Sequence, residues 1–337
     1  MKLNNVPIRI LEPADGSTTL PLQKYEWPGD AKDDDRDMPR PVTFAWEECS
    51  ESGGVEYELE ISSSPDLSDS IRKTAITDCW ADVLHLAVGT RYYWKVVAKC
   101  NDQKIAESPV SQFITHDATP RWIRVPGTTN VRDLGGWPLS GGGRIRQEMV
   151  YRSSEMNCHQ EITEEGRRVL EDDLGIRTVI DLRKTSDGED ARPALDQDKV
   201  QWINISIASY GHICDDGMRE KFRQIFGVFA DRSNYPIQFH CWGGADRAGT
   251  VAFLLNALLG ARMGDLIRDY ELTSMSIWGE RSASDPERFR KLLSVLHSFG
   301  EERDTIHKKV EIYLSDIGVT SEEVDTIRDH LTVSDSG

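Results

Sequence analysis

The stretch His240-Cys241-Trp242-Gly243-Gly244-Ala245-Asp246-Arg247-Ala248-Gly249-Thr250 decides how this chain is read. It follows an apolar run at residues 236–239 and precedes a helix-like apolar run at residues 251–259. The order is therefore strand, glycine-bearing loop, helix. In that order successive backbone N–H groups curl into a nest at a helix N-terminus, which suits a tetrahedral oxyanion ester. The same positive field, with Arg247 six residues beyond Cys241, is expected to favour a thiolate and make Cys241 a nucleophile. Arg247 carries a planar fork able to grip two equatorial oxygens of a transferring group, a task that a lysine point charge performs less well.

Around this segment, short apolar strand candidates at residues 149–152, 177–182, 200–207 and 237–241 alternate with helical stretches, the pattern of an α/β sheet. Thr163 can cap a helix that ends at Gly175, and Ser284-Asp285-Pro286-Glu287 and Thr320-Ser321-Glu322-Glu323 both fit a capping box. Upstream the pattern changes. Val55, Tyr57, Leu59 and Ile61 alternate with Glu56, Glu58, Glu60 and Ser62, a period of two with one face buried. Residues 92–98 repeat the alternation, and Gly53-Gly54, Ser64-Pro65 and Gly89 punctuate the set as turns. This predicts a small antiparallel sandwich, with Thr119-Pro120 as the linker and domains at residues 1–117 and 118–337. The acidic run at residues 30–37 reads as a solvated surface loop, since it lacks the alternate-position ligands of a calcium loop.

Length and composition agree: 337 residues with 38% hydrophobic content suit two globular domains. A net charge of −17 and the lack of a Lys/Arg cluster argue against nucleic-acid binding. No run of eighteen apolar residues suggests a membrane span and no leader is visible, so the compartment stays open between cytoplasm and a secreted form whose leader was removed. Six cysteines without a C-x-x-C spacing argue against a disulfide framework or a structural zinc site, and no cofactor is expected.

Cysteine, five residues, then arginine resembles the signature of the protein tyrosine phosphatase superfamily. Asn130-Val131-Arg132-Asp133-Leu134-Gly135-Gly136, Tyr151-Arg152-Ser153 and Asp181-Leu182-Arg183 are similar to its bacterial atypical tyrosine and lipid phosphatase branch, and Asp269-Tyr270 and Gly318-Val319-Thr320 fit as well. The paired Tyr92-Tyr93 opening a Tyr-x-Trp-x-Val strand resembles a fibronectin type III domain. The resemblance implies an α/β sheet flanked by helices, preceded by a small all-β sandwich. It also implies a phosphorylated substrate and a general acid in the loop itself, Asp246. The alternative for Asp246 is a carboxylate that orders the loop, and Asp215 and Asp216 are rival acids or a helix N-cap ahead of Met218.

Trp242, Gly243, Gly244, Ala245 and Ala248 are expected to touch substrate, while His240 and Thr250 support the loop. Arg132 and Asp133, and also Arg183, are either pocket wall or structural ion pairs. Trp242 either stacks on substrate or packs beneath the loop. Two departures from the family pattern matter. Ala245 stands where many relatives place a lysine, which removes charge and brings sulfate monoesters, such as those of carbohydrates, into view beside phosphate. Ala248 stands where a serine or threonine hydroxyl would stabilise the departing thiolate, a role that falls to Thr250 or is lost. A loop that only binds phosphate, with the sandwich docking a carbohydrate or protein ligand, is the reading from outside enzymes.

Overall fold

The computed structural model describes residues 7–23, 39–49, 54–184 and 191–334. The acidic run at residues 30–37 lies outside them. The described chain divides between Thr119 and Pro120 into two compact units.

The first unit packs two sheets about one core. β1 (Ile10–Glu12), β3 (Val42–Trp46) and β6 (Trp80–Val83) form one sheet in the order β1-β3-β6. The other has the order β2-β9-β7-β4-β5, with β2 (Ser17–Thr18), β4 (Val55–Ser62), β5 (Ile71–Ile76), β7 (Arg91–Cys100) and β9 (Ser111–Ile114), and β8 (Gln103–Glu107) pairs with β7. Phe44, Leu59, Trp94 and Phe113 are fully buried between the sheets, as the period of two requires. The glutamate face of β4 is less solvated than expected. Glu58 and Glu60 lie against Lys99, Lys95 and Arg72 from the neighbouring strands, with Glu60 Oε2 3.4 Å from Lys95 Nζ. Cross-strand charge pairs cover the outer face of a central strand.

The second unit is built on a five-stranded sheet. β10 (Arg132–Asp133), β12 (Val150–Ser153), β15 (Ile237–His240), β13 (Thr178–Asp181) and β14 (Gln201–Asn204) lie in that order, parallel except for β10, while β11 (Arg144–Ile145) pairs with β16 (Thr332–Val333). Alternation fills both faces. Ile180, Ile237 and Phe239 join the larger core, whereas Val179 and Tyr151 join a smaller one with Leu170 and Ile176.

The larger core carries α2 (Met218–Ala230), α3 (Asp246–Leu259), α5 (Phe289–Leu296), α6 (Ile306–Asp316) and α7 (Ser321–Leu331), with α4 (Met263–Glu271) following α3. Phe222, Ile225, Phe226 and Phe229 are the buried stripe of α2, at the spacing that one helix face presents. By contrast α3 is buried from Ala248 to Leu259 on every side, which marks the central helix, and Gly260 at φ 98° ends it in the left-handed region.

Thr163 caps α1 (Glu164–Arg168), which continues as a π-helical turn, Val169–Asp173. Thr320 and Glu323 close the capping box of α7. The box expected at Ser284 does not form: the segment is a turn in which Ser284 bonds Ser282 and Glu287 N–H bonds Asp285, and α5 starts only at Phe289. Neither Asp215 nor Asp216 caps α2. Gly217, at φ 78°, holds that position, and Asp215 turns to His212 Nδ1 at 2.6 Å.

Candidate active site

β15 is the middle strand, so its C-terminal end opens at the carboxyl edge of the sheet, where an α/β fold presents ligands to a helix N-terminus. Cys241 sits there, buried, and the chain turns through residues 242–245 into α3.

Each carbonyl of the turn is drawn outward by a named donor. Glu155 N–H donates to Trp242 O at 2.9 Å, and Asn130 Nδ2 donates to Gly243 O at 3.0 Å. Arg152 Nη2 donates to Gly244 O at 2.5 Å and Ala245 O at 3.3 Å. In a planar trans peptide the C=O and the following N–H point in opposite directions. Pulling these carbonyls out therefore turns the following amides inward, and among the described residues no protein acceptor takes the amides of Trp242 through Asp246. That is an anion cradle at the start of a buried fourteen-residue helix. Gly244 is required by the same geometry: its φ is +65°, and a Cβ would stand 2.4 Å from Ser153 O.

The donors are themselves fixed. Asp269 on α4 accepts from Arg132 Nε at 2.8 Å and from Arg152 Nη1 at 2.6 Å, and Arg132 also bonds the side-chain oxygen of Asn130. Burial pushes the Asp269 carboxyl up, but the two guanidiniums outweigh it and hold the group below the ordinary carboxylate range. An anion between two cations thus holds the frame that turns the loop.

Two of the open alternatives bear on this frame. Arg132 is fully buried on Asp269, and Asp133 accepts from Arg121 Nη1 at 3.1 Å and from the N–H groups of Gly135 and Glu148, both at 2.7 Å. Arg183, also fully buried, forks onto Asp181 with Nε–Oδ1 3.0 Å and Nη2–Oδ2 2.8 Å. These three residues were candidates for substrate contact. In the structure each of these charges has a buried ion-pair partner, the arrangement of a structural pair. His240 is buried 3.8 Å from Asp181, and desolvation, only partly offset by that carboxylate, lowers its pKa and keeps the ring neutral. Its Nδ1 lies 3.4 Å from Cys241 O.

Asp246 at the first turn of α3 is engaged. Arg281 forks onto it, Nε–Oδ1 3.0 Å and Nη2–Oδ2 3.1 Å, and the Tyr210 hydroxyl donates to Oδ1. Burial raises its pKa, yet the Arg281 and Tyr210 hydrogen bonds lower it by more, so the carboxyl lies below its usual range. Tyr210 also meets the Tyr270 hydroxyl at 2.9 Å. Thr250 cannot replace the hydroxyl missing at Ala248. Its single proton goes to Asp246 O at 2.9 Å, and its oxygen accepts from Tyr210 N–H at 2.9 Å. Arg247 Nη1 lies 3.4 Å from Leu182 O, at the end of β13.

Trp242 is half-buried with its ring 5.3 Å from His159, which also approaches Trp278 at 6.1 Å. Trp278 in turn covers Gly243, where a Cβ would stand 2.9 Å from the indole, and donates Nε1–H to Thr129 Oγ1 at 3.0 Å. Tyr210, Arg281, His159 and Trp278 were not found in the sequence. They reach the loop from tens of residues away and carry no local pattern. Among the described residues no group of three His, Cys, Asp or Glu side chains is placed to hold a metal ion.

The profile of the tyrosine phosphatase family matches residues 123–333. Two relatives carry tyrosine-protein phosphatase names. One, from Cupriavidus necator, is 26% identical over 167 residues, which is 42% of this chain and 59% of that protein. The other, from Nostoc commune, is 27% identical over 133 residues, 33% of this chain and 45% of its own length. The chain thus spans about half the length of these relatives. Among solved structures, the core catalytic domain of the PP-IP phosphatase SIW14 from S. cerevisiae is similar with a TM-score of 0.31 and 14% identity, over 52% of this chain and 86% of that one. Because the family match covers more than half of the chain and takes in the whole cradle together with the residues that frame it, the chain belongs to the tyrosine phosphatase family.

Proposed function

We propose that the protein is a cysteine-dependent phosphomonoester hydrolase of the tyrosine or dual-specificity type. The observation that carries the reading is the turned loop: four outward carbonyls, the amides that follow them, a cysteine at one end and an arginine at the other.

In the first step Cys241 Sγ attacks phosphorus in line, and a P–S bond forms as the bond to the leaving oxygen breaks. The amides and Arg247 hold the three equatorial oxygens as charge develops. Asp246 donates a proton to the leaving oxygen. In the second step water attacks phosphorus, Asp246 takes its proton, and the thiolate departs. The Arg281 fork keeps Asp246 ionised before substrate arrives. A phosphate dianion beside it raises its pKa again and competes for Arg281, so proton uptake accompanies binding.

The electrostatic support for sulfate esters came from Ala245, and the basic residues Lys184, Lys221 and Arg288 beside Arg247 weaken it by returning positive charge to the neighbourhood. Turnover of 4-nitrophenyl phosphate and 4-nitrophenyl sulfate by the same preparation tests the reading. The phosphate ester should be hydrolysed well above the sulfate ester. Faster sulfate turnover would reverse the assignment, and no turnover of either would favour the binding-only reading. For the N-terminal unit, the two-sheet sandwich and Tyr92-x-Trp94-x-Val96 support a fibronectin type III-like domain.

A further inference from the structure

A cavity of about 620 Å³ opens beside the loop, with Asp246 and Arg247 in its lining. Its remaining wall is divided by chemistry. Ile207, Ala208 and Met218 supply apolar lining, whereas Lys184, Lys221 and Arg288 supply positive charge. A sphere of that volume is about 10 Å across, the scale of a small-molecule pocket and larger than one phosphoryl group needs.

The cations come from separate elements: Lys184 follows β13, Lys221 lies on α2 one turn after Met218, and Arg288 precedes α5. Lys221 forms no hydrogen bond or ion pair among the described residues. Arg288 has one carboxylate, Asp285, at 3.6 Å, and it is near enough to add to the field at Asp246. His212 on the rim is held by Asp215. Among the described residues Asp246 is the one carboxylate lining the cavity, and Arg281 already forks onto it. A cavity in an acidic protein that converges three basic side chains beside the catalytic arginine is complementary to an anion.

We propose that this cavity is a second anion subsite, built for a phosphomonoester whose leaving group carries its own carboxylate or phosphate. The proposal rests on the hydrolase reading and deepens it. The scissile phosphoryl group occupies the cradle, the body of the leaving group lies on Ile207, Ala208 and Met218, and its distal anion meets Lys221 and Arg288. The positive charge missing at Ala245 is thereby placed on the leaving-group side, where it selects for the alcohol.

The test compares phenyl phosphate with 4-carboxyphenyl phosphate on the full chain, its Lys221→Gln variant and the Lys221→Gln/Arg288→Gln double variant. Both positions are incompletely buried, and circular dichroism checks the fold. Taking the variant-to-wild-type ratio of kcat/KM for each ester removes the difference in leaving-group chemistry. In the double variant that ratio should fall about tenfold further for the carboxylated ester than for phenyl phosphate. Lys221→Glu should widen the gap. Equal losses on both esters would overturn the subsite while leaving the hydrolase reading intact. If the wild type turns over neither ester, the hydrolase reading fails and the subsite is judged by calorimetric dissociation constants for the same two compounds, where equal weakening overturns it.

Discussion

Arg281→Met separates the two roles open to Asp246. The substitution keeps the length and apolar stem of the side chain and removes a two-pronged contact at 3.0 and 3.1 Å. Asp246 is 38% exposed in this pair, so solvent screens the interaction and its net worth is about 1 kcal/mol, well short of a fully buried pair. The sign follows from the direction of the shift. The fork favours the ionised carboxylate, so removing it raises the Asp246 pKa, and at any pH above that value the protonated fraction rises about fivefold. A general acid must be protonated to act, so hydrolysis of phenyl phosphate, whose leaving oxygen needs the proton, should rise severalfold at neutral pH. The alkaline limb of its pH profile should also move upward. Hydrolysis of 4-nitrophenyl phosphate, whose leaving group departs as the anion, should change little. Equal losses on both esters, with an unmoved alkaline limb, would refute the acid role and leave Asp246 as a carboxylate that only orders the turn.

Three further outcomes follow from the cradle. Gly244→Ala should lower kcat/KM at least about tenfold, because a Cβ at φ +65° meets Ser153 O at 2.4 Å and the loop must open to relieve it; steady-state kinetics reads this. Arg152→Met should cost about 3 kcal/mol in urea unfolding, since it leaves Asp269 with Arg132 alone and frees the Gly244 carbonyl, while Ala245 O keeps the Gly249 N–H. Because pairing depresses the Asp269 pKa in the folded state, that stability is present above about pH 4 and fades as pH falls through the folded value, so wild type and variant should converge in acid. Finally, with Thr250 committed to Asp246 O and Tyr210 N–H, it does not replace the hydroxyl absent at Ala248; stopped-flow should show a burst of leaving group that Ala248→Thr shrinks while raising the steady rate.

The parts of this architecture that are local in sequence were legible there. The strands feeding the site, the buried apolar run after Arg247 and the capping box at Thr320 each declare themselves within a dozen residues, through periodicity or a short-range hydrogen bond. Ser284 shows the limit of that method: the same residue pattern is satisfied within a turn when tertiary packing starts the helix later, at Phe289. The motif at Asn130-Val131-Arg132-Asp133 was found, but its work could not be read. Whether Arg132 faces a ligand or a buried carboxylate depends on Asp269, 137 residues away. Arg281 is the clearest omission. It lies 35 residues beyond Asp246, in an irregular segment with no periodic signal, yet it forks onto that carboxylate and helps hold it below its usual range.

The proposed reaction passes through a covalent intermediate at one atom. Acid quench of the protein during turnover of 4-nitrophenyl phosphate, followed by peptide mapping in a mass spectrometer, tests this most directly. A single phosphoryl group on Cys241, absent from Cys241→Ser and released at a rate matching the steady state, is the predicted result. Continued turnover by Cys241→Ser, or a phosphoryl group on any other residue, would contradict it.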